Sequence, residues 1–289
     1  MLKQRIITSL ILAPLALALV FLAPLDWFSY CAGGIVLLGA YEWSALMGIN
    51  NRIKRLGYVI AIAALVALMQ WHWPITELWQ SNGLLRGDIN YVFTLSVAWW
   101  IVATILVVRY PKFSDAWSQG LLMRGISGVL TLAPLWLALC VLRSASYEES
   151  AQFGSYLILA VLGIVWCADV GAYFTGKNFG KHKLMPKVSP NKTIEGFVGG
   201  LLSSAVFLVV FCYFNGIEAS MWIFYALMAI VVAAFSAVGD LLESMFKRQA
   251  GMKDSGKCLP GHGGILDRID SLTAAAPIFV VFYAWTITL

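Results

Sequence analysis

The chain has 289 residues, 60% of them hydrophobic and only 12% charged, with a net charge of +5. Its mean hydropathy is +0.80. A soluble domain of this length carries about a quarter charged residues, so this balance excludes an ordinary water-soluble fold and points to an all-α, polytopic integral membrane protein.

The N-terminus sets Lys3 and Arg5 ahead of a long apolar run. That order resembles a signal peptide, but the run is too long and more follow, so it reads as a retained first span. Nine spans are predicted, over residues 6–25, 28–48, 56–74, 91–109, 125–143, 155–176, 193–214, 220–243 and 271–289. Each is close to the ~20 residues that carry a helix across ~30 Å of hydrocarbon. The third ends in Trp71, His72 and Trp73, the kind of aromatic belt found at a membrane interface. The longest polar stretches are the loops 177–192 and 247–270. They divide the chain into N-terminal spans over 1–150, expected to form a scaffold and a dimer surface for a homodimer, and a catalytic region over 151–289.

Charge sets the orientation. Assigning loops alternately from the N-terminus puts every Lys and Arg except Arg86 and Arg143 on one side. The positive-inside rule makes that side the cytosol, with the N-terminus inside and the C-terminus outside. Losing one span would scramble the division, so an odd number is expected. Anionic headgroups account for the basic loops, and no nucleic-acid partner is needed. The five cysteines form no CxxC pair, and four lie within apolar runs. They read as small buried residues, without a disulfide framework or zinc site.

Three carboxylates fall at or near the cytosolic ends of spans: Asp169, Asp240 and Asp267. A charge inside a membrane is expensive and faces a cavity or a partner. Asp169 precedes Lys177 by eight residues, about 12 Å along a helix. Asp240 shares a helix face with Glu243, Ser244 and Lys247. Plainer roles exist for each acid: Asp240 paired with Lys247, Asp270 capping the last span, and Glu42 in a structural role or paired with a cytosolic base.

The stretch from Ser244 to Asp270 is more informative than any one acid. It interleaves bases, acids, His262 and the Gly263-Gly264 pair. Glycines let backbone N–H groups approach phosphate, and Lys and Arg neutralise polyphosphate charge. Carboxylates hold a divalent cation that in turn binds phosphate. The combination reads as metal–polyphosphate chemistry. In the other loop, Asn191 or Thr193 is placed to cap the seventh span, whose N-terminus also offers N–H groups to phosphate.

These residues resemble the phosphatidate cytidylyltransferase (CDP-diacylglycerol synthase) family. Its signature is filled by Ser244, Lys247, Arg248, Lys253, Asp254, Gly256, Leu259, Pro260, His262, Gly263, Gly264, Asp267, Arg268 and Asp270. Asp169, the Ser189–Gly196 segment and Asp240 extend the likeness over roughly 166–270. The resemblance implies transfer of CMP from CTP to phosphatidic acid, releasing pyrophosphate, in phospholipid biosynthesis. It implies Mg²⁺, with K⁺ as a second ion, on residues matching Asp240 and Asp267, with Asp169 a third candidate. Asp240, Asp267, Lys247 and Arg268 become candidate catalytic residues. Ser244, Lys247, Arg248, Lys253, His262, Gly263, Gly264, Asn191 and Lys192 become candidate CTP- and phosphate-binding residues, with His262 a donor rather than a base and the 262–264 turn bringing backbone donors to CTP. Size and resemblance together imply a bacterial inner membrane, with the site facing the cytosol.

Two other readings share the membrane setting. A CTP-using lipid kinase of the dolichol-kinase kind would transfer the γ-phosphate to an alcohol. A transporter would set Asp169 and Asp240 on an ion path, but has no need of a loop dense in acids, bases and glycines.

Overall fold

The computed structural model describes residues 2–112, 114–118, 120–259 and 261–287. Among these, nine long helices occupy the nine predicted segments: α1 (Leu2–Leu22), α2 (Leu25–Leu46), α3 (Arg52–His72), α4 (Ile89–Arg109), α6 (Leu121–Ser144), α7 (Phe153–Phe179), α8 (Ile194–Phe214), α9 (Trp222–Gln249) and α10 (Leu266–Thr286). The short α5 (Ser114–Ser118) precedes α6. The last predicted span ran to residue 289, but positions 288 and 289 lie outside the described residues. Among the described residues seven helices are long and apolar enough to cross a membrane: α3, α4 and α6 to α10. In α1 only Leu10–Leu22 is apolar throughout, and α2 carries Asp26 and Glu42 among its apolar residues.

Local chemistry sets several helix ends. Asn51 caps α3, accepting from the amides of Ile53 and Lys54 at 2.8 and 3.2 Å. Thr193, one of the two predicted caps, starts α8 by accepting from the Gly196 amide at 3.1 Å. These side chains satisfy amides that the first helical turn leaves without partners. At the foot of α3 the Trp73 indole donates to Asp88 at 2.9 Å, and Arg86 meets the same carboxylate at 2.9 Å. Burial pushes the Asp88 carboxyl upward, but the Trp73 and Arg86 hydrogen bonds and the Arg86 charge outweigh it and hold it below the usual carboxylate range.

The core runs along α6 and α10, flanked by α2, α4, α7 and α9. Trp43, Trp100, Trp136, Phe93 and Phe246 are its largest closed apolar side chains. Arg143, one of the two basic residues assigned to the outer side, is not a surface charge. It is 2% exposed and donates to the carbonyl oxygens of Ala151 and Ala23 at 2.9 and 3.0 Å. In the C-terminal half α7 and α8 pack through small residues. A Cβ at Gly200 would stand 2.7 Å from the Ala168 carbonyl oxygen. Without a hydrophobic drive between helices in lipid, such close backbone approach is what holds them together.

Two elements differ from the predicted layout. The loop after α7 contains an antiparallel hairpin, β1 (Lys183–Met185) with β2 (Ser189–Thr193), in the register Lys183 to Thr193 and Met185 to Ser189. The second loop is shorter than 247–270, because α9 continues to Gln249 and α10 already begins at Leu266. No helix breaker separates Asp240 from Gln249, and the first left-handed residue beyond is Gly251, at φ +67.

Candidate active site

Extending α9 and α10 has a direct consequence. Asp240, Ser244 and Lys247 lie on one face of a continuous helix, and Asp267 lies in the first turn of the next. An acidic side chain is favoured there by the helix dipole.

Lys247 joins the two helices. Its Nζ stands 2.7 Å from Asp267 Oδ1 and 3.4 Å from Glu243 Oε1. All three side chains are at most 10% exposed. Asp267 Oδ2 also accepts from the backbone amides of Ser255 and Gly264 at 3.0 and 2.8 Å. The glycine turn therefore aims its Gly264 N–H at Asp267; this amide was expected to face CTP. The turn is closed by His262 N–H on the Leu259 carbonyl oxygen at 3.0 Å and Leu259 N–H on that of Gly263 at 2.9 Å. Gly263 adopts φ +81, which a side chain at that position would resist. The signature residue Pro260 lies outside the described residues.

Asp240 belongs to a second ion pair. The plainer reading paired it with Lys247, but Lys192 from β2 takes that place, with Nζ 2.5 Å from Oδ2, while the Ser244 hydroxyl donates to Oδ1 at 3.2 Å. The hairpin makes this possible by folding β2 back against α9, an arrangement that loop composition alone did not indicate. The hairpin itself is tied down at both ends. Glu195 accepts from the amides of Lys181 and His182, and Arg248 donates to the Val188 carbonyl oxygen at 3.3 Å.

Beside Lys192 opens a cavity of about 480 Å³ between α7, α8, α9 and the hairpin. Its polar lining includes Asp169, Lys177, Asn191 and Lys192, and its apolar walls include Phe197 and Leu201. The volume falls within the range of small-molecule sites. The charges of Asp240, Lys192 and Arg268 all reach Asp169. Arg268 and Lys253 are themselves exposed. Lys192 links the cavity to Asp240, and Lys247 ties Asp267 to α9, whereas Arg248 is engaged with the hairpin and Lys253 is exposed.

Asp270 is not the cap of α10. It sits a turn inside, facing Glu243, and the capping acceptor comes from Glu42 of α2, which takes the Leu266 amide at 2.8 Å. Glu42 thus makes hydrogen bonds to the start of α10, and no base pairs with it among the described residues. Glu243 was noted only as a neighbour of Asp240, and Ser255 was not singled out. Their roles depend on contacts between distant segments.

Among the described residues no three His, Cys, Asp or Glu side chains gather into a cage for a metal. Mg²⁺ does not need one; it is bound through one or two carboxylates, several waters and substrate phosphates. Asp240 and Asp267 supply hard oxygen donors, and each already faces a cation, the ammonium of Lys192 or Lys247. The donor set fits Mg²⁺.

The model of a cytidylyltransferase family matches residues 3–286. The chain belongs to this cytidylyltransferase family. Its relatives include the phosphatidate cytidylyltransferase of Pseudomonas aeruginosa, 43% identical over 279 residues, covering 96% of both chains. That of Haemophilus influenzae is 36% identical over 286 residues, covering 98% of this chain and 99% of the relative. That of Bacillus subtilis is 30% identical over 287 residues, covering 98% and 97%. In this cytidylyltransferase the paired carboxylates, their lysines and the adjoining cavity all fall within the matched region.

Proposed function

We propose that this chain is a phosphatidate cytidylyltransferase, transferring CMP from CTP to phosphatidic acid to give CDP-diacylglycerol and pyrophosphate. Family membership supports the reaction. The observation that carries the site assignment is Lys192, shared between the cavity and the Asp240 ion pair. An amphiphile with a phosphate head fits such a place: Lys177, Asn191 and Lys192 meet the head, and the apolar walls meet the chains. Opening between helices, the cavity takes its lipid sideways from the bilayer.

A phosphatidate oxygen attacks the α-phosphorus of CTP, forming a new P–O bond, while the α–β phosphoanhydride bond breaks and pyrophosphate leaves. Phosphoryl-type transfer requires positioning and neutralisation of charge more than covalent help. Lys192 and Lys247 supply positive charge on either side of the site. Arg268 and Lys253, being exposed, are free to meet the outer phosphates of CTP. The Ser255 and Gly264 amides hold Asp267 in one rotamer. Phosphatidate is ionised at neutral pH, so no side chain has to remove a proton. Asp240 and Asp267 are the residues that would hold Mg²⁺, with K⁺ a second ion and Asp169 a third candidate ligand. When bound, Mg²⁺ supplies charge neutralisation on the triphosphate and the departing pyrophosphate.

The remaining topology is part of the same reading. Nine crossings put the N-terminus and the active site in the cytosol and the C-terminus outside, in a bacterial inner membrane. Residues 1–150 form the scaffold and a homodimer surface, and 151–289 the catalytic region.

The test is purified protein in detergent with phosphatidic acid, Mg²⁺ and CTP labelled at the α-phosphate. Label in the lipid phase, with release of pyrophosphate and loss on adding EDTA, is the expected result. Label passing to an added polyprenol from γ-labelled CTP instead would make the chain a lipid kinase.

A further inference from the structure

Glu42 is a charged residue in the half of the chain otherwise read as scaffold, and it is 5% exposed. It accepts three hydrogen bonds, each from a residue more than two hundred positions away. They come from the Ser255 hydroxyl at 3.0 Å, the Ile265 amide at 3.1 Å and the Leu266 amide at 2.8 Å. The last two are amides at the start of α10, a helix with no side-chain cap of its own. Such amides need an acceptor, and the positive end of the helix dipole favours a negative one. Glu42 serves α10 as a cap supplied by another helix.

A second observation gives this contact a bearing on the reaction. Ser255 donates its hydroxyl to Glu42 and its backbone amide to Asp267 Oδ2. Leu266, held by Glu42, directly precedes Asp267 in the chain. Glu42 therefore holds two segments that lead to Asp267, the Ser255 turn whose amide binds the Asp267 carboxylate and the two residues that immediately precede it. Two glycines of the signature are shaped to the same carboxylate. A Cβ at Gly256 would collide with Glu42 Oε1, and one at Gly264 with Glu42 Oε2 and Ser255 Oγ. Smallness at these positions thus has a physical cause that lies outside the loop: the backbone must close over a side chain from α2.

We propose that Glu42 is a positioning residue for cytidylyl transfer, locking the 255–266 segment and the first turn of α10 so that Asp267 is presented to the substrate in one geometry. The inference rests on the reading of Asp267 as a site carboxylate. A glutamine at position 42 keeps the shape but puts an NH₂ donor against the donors it must accept, so it cannot satisfy all three.

The experiment compares Glu42→Gln, Ser255→Ala and Asp267→Asn with the wild type, each purified in detergent. Two readouts are taken: steady-state kinetics, and amide hydrogen exchange of peptides along the chain. For Glu42→Gln the expected result is a fall in kcat of about tenfold or more, with KM for phosphatidic acid changed by less than about twofold. Exchange is expected to rise in peptides covering 255–267 while those of α7 and α8 stay as in the wild type. A merely structural role would instead raise exchange along the whole chain and leave kcat per folded molecule unchanged, and that result overturns the proposal. Should Glu42→Gln fail to fold, Ser255→Ala carries the decision. It removes one of the three bonds, and a kcat lowered by about threefold with exchange raised only in 255–267 is expected; wild-type kcat and exchange overturn the proposal. Asp267→Asn separates the two assumptions. If it is inactive while Glu42→Gln behaves as wild type, only the role of Glu42 falls; if it is fully active, the site reading falls and takes this inference with it.

Discussion

Replacing Asp267 by asparagine removes one charge and changes little else in shape. Asp267 accepts from Lys247 at 2.7 Å on one oxygen, and from the Ser255 and Gly264 amides at 3.0 and 2.8 Å on the other. An asparagine can keep its carbonyl oxygen toward the two amides. Its NH₂ group then faces the Lys247 ammonium, two donors in opposition. The loss is therefore one charge-assisted hydrogen bond, about 1.5–3 kcal/mol. Lys247 retains Glu243 at 3.4 Å, so it is not left as an isolated buried charge, a situation that would cost about 3–5 kcal/mol. The fold should survive, with a lowered melting temperature. Catalysis should not, because the substituted side chain no longer offers an anionic oxygen to a cation on the triphosphate. A fall in kcat of at least about 100-fold is expected, equivalent to about 2.7 kcal/mol of transition-state stabilisation. The assay is lipid-phase label from α-labelled CTP, normalised to folded enzyme by size-exclusion chromatography. A variant that keeps its melting temperature and turns over within about threefold of wild type at ordinary Mg²⁺ would refute both the ligand assignment and the claim that this ion pair belongs to the site.

Three further outcomes follow from other parts of the molecule. Lys192→Met should lower stability by only about 1 kcal/mol, since the Lys192–Asp240 pair is partly open to solvent. Its larger effect should be a raised KM for a phosphate-bearing substrate, and unchanged kinetics would remove Lys192 from the site. Gly200→Ala should destabilise the α7–α8 contact by about 1–3 kcal/mol, because its Cβ meets the Ala168 carbonyl oxygen. Gly34→Ala, where an added Cβ meets nothing within 4 Å, should stay within about 1 kcal/mol of wild type; thermal melts in detergent compare the two. Cys258 is exposed in the loop between α9 and α10. In a Cys31→Ser background, a membrane-impermeant maleimide should label it in inverted vesicles and not in intact spheroplasts. The reverse pattern would invert the proposed topology.

Composition and hydropathy were enough for the membrane class and the positions of nine long helices, because a segment that must satisfy its own backbone in lipid has little choice but to be helical. The residues of the site were also legible as a set: the acids, bases and glycines of 244–270 announce phosphate chemistry by type alone. Their pairing was not. Asp240 shares a helix face with Lys247, and local spacing favours that pair; the hairpin instead delivers Lys192 to Asp240 and leaves Lys247 to bridge α9 and α10. Helix ends were misplaced for a related reason. Lys247, Asp267 and Asp270 look like loop by hydropathy, yet Lys247 meets Asp267 and Asp270 faces Glu243 across α9 and α10, so they need not be in water. Glu42 shows the limit most clearly. Periodicity can mark an acid in an apolar helix as exceptional, but its partners lie more than two hundred residues away, and only close packing of α2 against the start of α10 brings them within hydrogen-bond distance.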